Sequence, residues 1–121
     1  MDALQQAVNA HVQIGVVYRT TEAFDTQMCA VWNELWHLVE LVRGEIDVWA
    51  SLEYYYAILR ETHERMMSTA GDYWQDEDAV QRDFDLLTEA IAEFCPPGVY
   101  FGVDPDMLTN RGFYPEHWRG E

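Results

Sequence analysis

The segment that most limits the fold runs from residue 80 to residue 94. Val80, Phe84, Leu87, Ile91 and Phe94 recur there at steps of 4, 3, 4 and 3. That spacing puts five large apolar side chains on one face of an α-helix, which must then be buried against another element. Asp76 precedes the run and is suited to cap it, because its side chain can accept from the first unpaired backbone N–H groups. Cys95-Pro96-Pro97-Gly98 ends the run sharply, since proline supplies no N–H and clashes with a preceding turn.

Upstream, the same period recurs. Leu4, Ala7, Val8, His11 and Val12 predict a first helical segment from Asp2 to about Tyr18, weakened at its end by Gly15 and the β-branched Val16-Val17. Thr20-Thr21 offer a cap for a second helix. Its stripe is Met28, Val31, Trp32, Leu35, Trp36, Val39 and Val42, and Gly44 ends or bends it. A third run carries Ile46, Trp49, Leu52, Tyr56, Leu59 and Met66, with Gly71 as a C-cap and Asp72-Tyr73-Trp74-Gln75 as a loop. Beyond Gly98 the period changes. Val99–Val103 is strand-like, Asp104-Pro105-Asp106 begins a turn, and Gly112-Phe113-Tyr114 reads as the returning strand. The expectation is a mainly α protein: a bundle of about four helical segments with a short C-terminal β-hairpin, α+β in the minor sense. It forms one acidic domain over 1–121, helical over 2–95 with hairpin and tail over 96–121. Trp32, Trp36, Trp49, Phe84, Leu87 and Ile91 are the expected core.

Pro96-Pro97-Gly98-Val99-Tyr100-Phe101-Gly102 and Gly112-Phe113-Tyr114-Pro115 carry a resemblance. This stretch looks like the C-terminal end of small phage and mobile-element proteins, in which a helix precedes Pro-Pro-Gly, an aromatic-Phe-Gly strand and a Gly-Phe-aromatic strand. The resemblance is confined to residues 96–115. Asp104–Asn110 stands where members often have a Gly-rich turn. It implies a phage, plasmid or prophage origin and brings no biochemical role with it.

Charge narrows the function classes. The chain has 22 Asp and Glu against 7 Arg, no lysine, and a net charge near -15. Self-repulsion disfavours the compact state, so the charge reports solvation, a basic partner or a saline habitat. A GC-rich genome would also remove lysine. Direct binding to nucleic acid or anionic lipid is disfavoured. No apolar stretch approaches the ~18 residues that a membrane span needs. The N-terminus has no basic region followed by an apolar run, so no secretory leader is expected and the cytoplasm is the expected location. Cys29 and Cys95 then read as buried free thiols.

Catalytic motifs are incomplete. Glu34 and His37 share a helix face, as Glu-x-x-His does in di-iron bundles, but a second such motif is missing; Glu61 and Glu64 only flank His63. No zinc-ligand spacing, nucleophile elbow or phosphate loop occurs. The expectation is a non-enzyme without cofactor or metal. A small metal- or cysteine-dependent enzyme using Glu34, His37, His63 or Cys29 is the alternative, and a virion or scaffolding protein is another.

The acidic cluster points to a surface. From Asp72 to Glu93 there are eight acids and one base, Arg82. Asp78, Asp85, Glu89 and Glu93 fall on one stripe, the last three spaced by about 6 Å along the axis. Like charges at that spacing repel by a few tenths of a kcal/mol per pair. Solvation of an exposed face is one reading. The other is an inhibitor that docks Asp76, Asp78, Asp85, Glu89 and Glu93 on a basic, nucleic-acid-binding host protein, with Tyr54 and Tyr55 as anchors. Three consecutive tyrosines, Tyr54–Tyr56, span about 200° of a helix, so at least one ring must reach the surface. The partner expected is a nuclease or defence complex of CRISPR or restriction type, with the carboxylates standing in for phosphates. Assembly from several copies of the chain is also compatible with the sequence.

Overall fold

The computed structural model describes residues 13–45, 49–68 and 72–119. Among these residues, three α-helices and a three-stranded antiparallel sheet make a mainly helical α+β fold. In chain order these are β1 (Gly15–Arg19), α1 (Phe24–Glu45), α2 (Trp49–Met66), α3 (Glu77–Glu93), β2 (Val99–Asp104) and β3 (Met107–Pro115). Short 3-10 turns cover Tyr73–Gln75 and Glu116–Arg119.

α3 follows its sequence closely. The Asp76 side chain accepts from the Ala79 backbone N–H at 3.2 Å, and Val80, Phe84, Leu87, Ala90 and Ile91 are buried. Gly98 has φ +85°, a conformation that L side chains rarely adopt, so the turn after the two prolines needs glycine. β2 and β3 then pair in mirror register. Tyr100 faces Tyr114, Phe101 faces Phe113 and Gly102 faces Gly112. The two phenylalanine rings meet at 5.1 Å on one face of the sheet. Gly112 is fixed by close approach, because a Cβ there would lie 2.0 Å from the Gly15 carbonyl oxygen of β1.

β1 departs from expectation. Gly15–Tyr18 is not the end of a first helix but an edge strand, with Gly15 opposite Phe113 and Tyr18 opposite Arg111. Val16 and Val17 favour a pleated surface, and the adjacent β3 supplies ladder partners that local helix spacing could not compete with. The sheet order is therefore β1-β3-β2, with a third strand beside the expected hairpin. Asp2–Val12 of the expected first helix lies outside the described residues. Among the described residues there are three α-helices.

The helices pack on one another and the sheet closes one side. Met28, Val31, Leu35, Leu38, Val39 and Val42 of α1 join Leu52, Ile58 and Leu59 of α2 and the α3 stripe in a single core. Tyr18 and Phe113 bring the sheet into it. The Phe84 ring lies 5.0 Å from Phe24 and 5.5 Å from Tyr18, so one side chain ties α3 to α1 and to β1. Trp36 is not core. It is 43% exposed, and Leu38 fills the interior instead. At about 100° per residue Trp36 sits beyond the edge of the stripe centred on Leu35 and Val42. Trp32 is half-buried, with its indole N–H donating to the Leu59 carbonyl at 3.0 Å. The Trp49 side chain and Gly71 lie outside what the structure describes. Cys29 is exposed and Cys95 half-buried, which corrects the expectation of two buried thiols. α1 spans Phe24–Glu45, so Gly44 stands in its last turn, and it begins at Phe24, past Thr20-Thr21. Asp72–Gln75 is ordered as a helical turn rather than a loop.

One charged group crosses the packing. Asp83 is only 1% exposed, yet it lies on the α3 face beside Val80 and Leu87. Arg65 of α2 grips it with two bonds of 2.7 and 2.8 Å, and the Tyr73 hydroxyl donates at 2.7 Å. The acid is thereby satisfied on both oxygens. Arg65→Met should cost about 3–5 kcal/mol in chemical denaturation, because it leaves a buried carboxylate with one partner. Asp83→Leu should cost less, since Arg65 is 40% exposed and can turn to water. Equal losses in the two variants would contradict this account.

Candidate functional site

The acidic residues of α3 divide into two sets. Taking about 100° per residue, the buried stripe of Val80, Phe84, Leu87 and Ile91 occupies one side of the cylinder. Asp78, Asp85 and Glu89 lie within about 40° of one another on the opposite side. All three are exposed, as are Asp76 and Glu77 at the helix start. Among the described residues none of these five forms an ion pair. Asp85 accepts from the Gln81 side-chain amide at 2.9 Å, one turn back, and keeps its other lone pairs. The placement explains how the helix accommodates its charge. Water reaches every one of these carboxylates, and neighbours one turn apart repel by only tenths of a kcal/mol.

Glu93 continues that stripe one turn beyond Glu89 and is exposed, but its carboxylate is engaged within the protein. At the last turn of α3 it faces α2, and the Tyr55 hydroxyl donates to it at 2.6 Å. The Tyr55 ring packs 4.8 Å from Phe94 and is half-buried. Burial first, and then the bond to Glu93, hold the Tyr55 hydroxyl protonated well above the usual tyrosine range. Tyr55 and Glu93 therefore join α2 to α3 and are not free anchors. Tyr54, 56% exposed, has its ring 5.4 Å from Tyr55 and faces solvent. Tyr56 donates to Glu40 of α1 at 2.9 Å. Of the three tyrosines, two are engaged within the protein and one is presented. The two anchors expected at Tyr54 and Tyr55 thus stand on different footings.

One of the eight acids between Asp72 and Glu93 is not on the surface. Asp83 belongs to the interior, so it adds nothing to the outer face. Sequence alone marks this weakly: Asp83 stands three residues after Val80 and four before Leu87, inside the apolar period.

A cleft that the sequence reading missed adjoins the start of α3. Phe24, Asp25, Trp74, Glu77, Val80 and Gln81 line a volume of about 520 Å³. A second aromatic groove, about 310 Å³, lies between α1 and α2 against Trp32, Trp36, Tyr56, Arg60 and His63. The residues considered for metal chemistry do not converge. The His63 ring packs 5.3 Å from Trp32, and Glu34 and His37 lie on α1. Among the described residues there is no group of three or more His, Cys, Asp or Glu that could hold a metal ion. No helix among the described residues is long and apolar enough to cross a membrane. Comparison with protein-family models, with curated proteins and with solved structures finds no match for this chain.

Glu34 gives a measurable consequence. Burial raises its carboxyl above the ordinary value of 4.5, and His37 opposes that only in part. A carboxyl raised in the folded state favours the proton there, so its ionised form weakens the fold above that pKa and the penalty lifts as pH falls through it. Glu34→Gln should therefore raise the thermal midpoint at pH 7. The gain should shrink toward zero as pH falls to about 4 and below. A gain independent of pH would remove burial of the charge as its cause.

Proposed function

We propose that this chain is an acidic protein-binding inhibitor that acts by occupancy. Its outer α3 face, led by Asp78, Asp85 and Glu89 with Asp76 and Glu77 at the end, docks on a basic nucleic-acid-binding protein of a host cell. The observation that carries the reading is the arrangement of these carboxylates. They are aligned, exposed, free of ion pairs among the described residues, and set opposite the buried face of a helix that is held on two sides. Carboxylates one turn apart, about 6 Å along the axis, present charge at a spacing that Arg and Lys side chains meet on a nucleic-acid backbone. Charge-assisted bonds from such side chains fix register and speed association.

Tyr54 is the exposed aromatic on the neighbouring helix, and an anchor of that type carries binding energy that the rim charges do not. The resemblance of residues 96–115 to phage and mobile-element proteins fits an antagonist of a nuclease or defence complex in the host cytoplasm. Competition with nucleic acid for one basic groove is then the mechanism. No catalytic step, cofactor or metal is invoked.

The test reverses charge where the fold does not need it. Glu93 is left intact, because its loss would also break the bond from Tyr55. In Asp85→Lys with Glu89→Lys, α3 keeps its core face and loses two like-charge neighbours, so circular dichroism and thermal midpoint should hold. Binding to the purified basic partner should weaken by at least about a hundredfold at low salt, through lost attraction plus new repulsion. High salt should weaken the wild type as well, because exposed charges are screened beyond about 8–10 Å. Nucleic acid should compete with the wild-type chain for the partner. Unchanged affinity in the double reversal, together with salt-independent binding, would make the stripe ordinary solvated surface.

A further inference from the structure

The cleft at the start of α3 is built in a way that the acidic stripe is not. Two aromatic rings, Phe24 and Trp74, stand on its walls and each is more than a third exposed. Neither ring is loose. The Trp74 indole N–H donates to the Met66 carbonyl at 3.1 Å, and its ring meets Tyr73 edge-on at 5.3 Å. Phe24 packs at 5.0 Å on Phe84, which is in the core. Val80 completes an apolar lining, and Asp25 and Glu77 supply two carboxylates. Large apolar rings held at the surface by bonds to the interior are organised before any ligand arrives, which lowers the cost of binding.

Charge selects the occupant. The cleft lies at the first turns of α1 and α3, and each helix N-terminus contributes about half a positive charge. Asp25 and Glu77 offset both ends, and Asp76 and Asp78 add two further negative charges beside the α3 end. The field at the cleft is thus net negative, which disfavours a phosphate, a carboxylate or a nucleotide. A cation with a flat, weakly hydrated face fits both features. Guanidinium stacks on indole, and its fork of N–H groups matches a carboxylate; a lysine ammonium offers only a point charge.

We propose that this cleft receives an arginine side chain of the basic partner, with the guanidinium on the Trp74 ring and its N–H groups directed to Glu77 and Asp25. The proposal rests on the docking reading for its partner. The cleft is continuous with the acidic stripe through Glu77 and Asp78 at the start of α3. It therefore places one specific anchor at the end of a rail of unspecific charge.

The probe is acetyl-arginine methylamide, titrated into the isotope-labelled full chain and followed by the backbone amides of Asp25 and Gln81. Acetyl-citrulline methylamide, of the same shape without the charge, is the control. Saturable shifts are expected with the arginine compound, and binding at least about tenfold weaker with citrulline. Trp74→Ala should weaken arginine binding by about tenfold. Glu77→Gln, at an exposed position that leaves folding intact, should weaken it severalfold. Equal response to arginine and citrulline, or full binding in both variants, overturns the proposal.

A second arm separates the two readings, using an octapeptide of alternating Arg and Gly. If Glu77→Gln and Trp74→Ala bind it as wild type while Asp85→Lys with Glu89→Lys does not, the cleft proposal fails and the docking face stands. If the two cleft variants lose it and the double reversal does not, the cleft stands and the α3 stripe fails as a docking face.

Discussion

The ion pair between Arg65 and Asp83 sets the position of nearly everything that matters on the surface. It joins the last turn of α2 to the middle of α3, and the Tyr73 hydroxyl brings in the short turn between them. Because Tyr73 is held there, the adjacent Trp74 is directed to the cleft, where its indole bonds the last residue of α2. A buried carboxylate can make only one rotation of α3 acceptable. If the helix turned by one residue, Asp83 would lose Arg65 and an apolar residue would be exposed in its place. Such pairs are weak evidence for stability against an apolar substitute, but a broken one is strongly destabilising. The pair therefore specifies which face of α3 is out, and with it where Asp78, Asp85 and Glu89 point.

Much of this was legible in the sequence, and for identifiable reasons. The α3 stripe, the Asp76 cap and the Pro-Pro-Gly stop are local signals of one period, and the structure keeps all three. The hairpin was legible too. Its mirror sequence, Tyr-Phe-Gly against Gly-Phe-Tyr, now has a physical meaning, because each residue pairs with its own kind across the strands. What failed was non-local. β1 exists because β3 offers it a ladder and Gly112 lets the backbones approach, and neither partner is near Gly15 in sequence. Trp36 lies about 100° round the helix from Leu35, off the buried stripe, so its ring is exposed despite its size. At the candidate site, alignment of Asp78, Asp85 and Glu89 followed from helix geometry. The fate of Glu93 and Tyr55 did not, because their bond joins residues 38 apart.

Charge of this size on a small domain has to be kept where water can reach it. Of the eight acids between Asp72 and Glu93, Asp83 is buried with a dedicated base and Glu93 takes a tyrosine hydroxyl. All but Asp83, Glu93 included, are exposed. Solvated carboxylates at an effective dielectric near that of water repel at 6 Å by well under 1 kcal/mol, and salt reduces this further. The fold thus accommodates its negative field with little strain, and the field is free to act outward.

The geometry of that outward face limits what it can meet. α3 is 17 residues long, which gives an axial length of about 25 Å. A standard protein interface uses about 800 Å² from each partner, a patch of roughly that width. Charge alone over such a patch gives steering without tight binding, because rim carboxylates remain partly hydrated. Something apolar must be desolvated as well. At one end of the helix the structure offers the Trp74 and Phe24 rings around a concave space; near the other, Tyr54 stands beyond the Tyr55–Glu93 bond. The acids lie between two aromatic ends, so under the proposed docking a basic partner that engaged both ends would be held in one register along the stripe. A partner that reaches only the acids can slide.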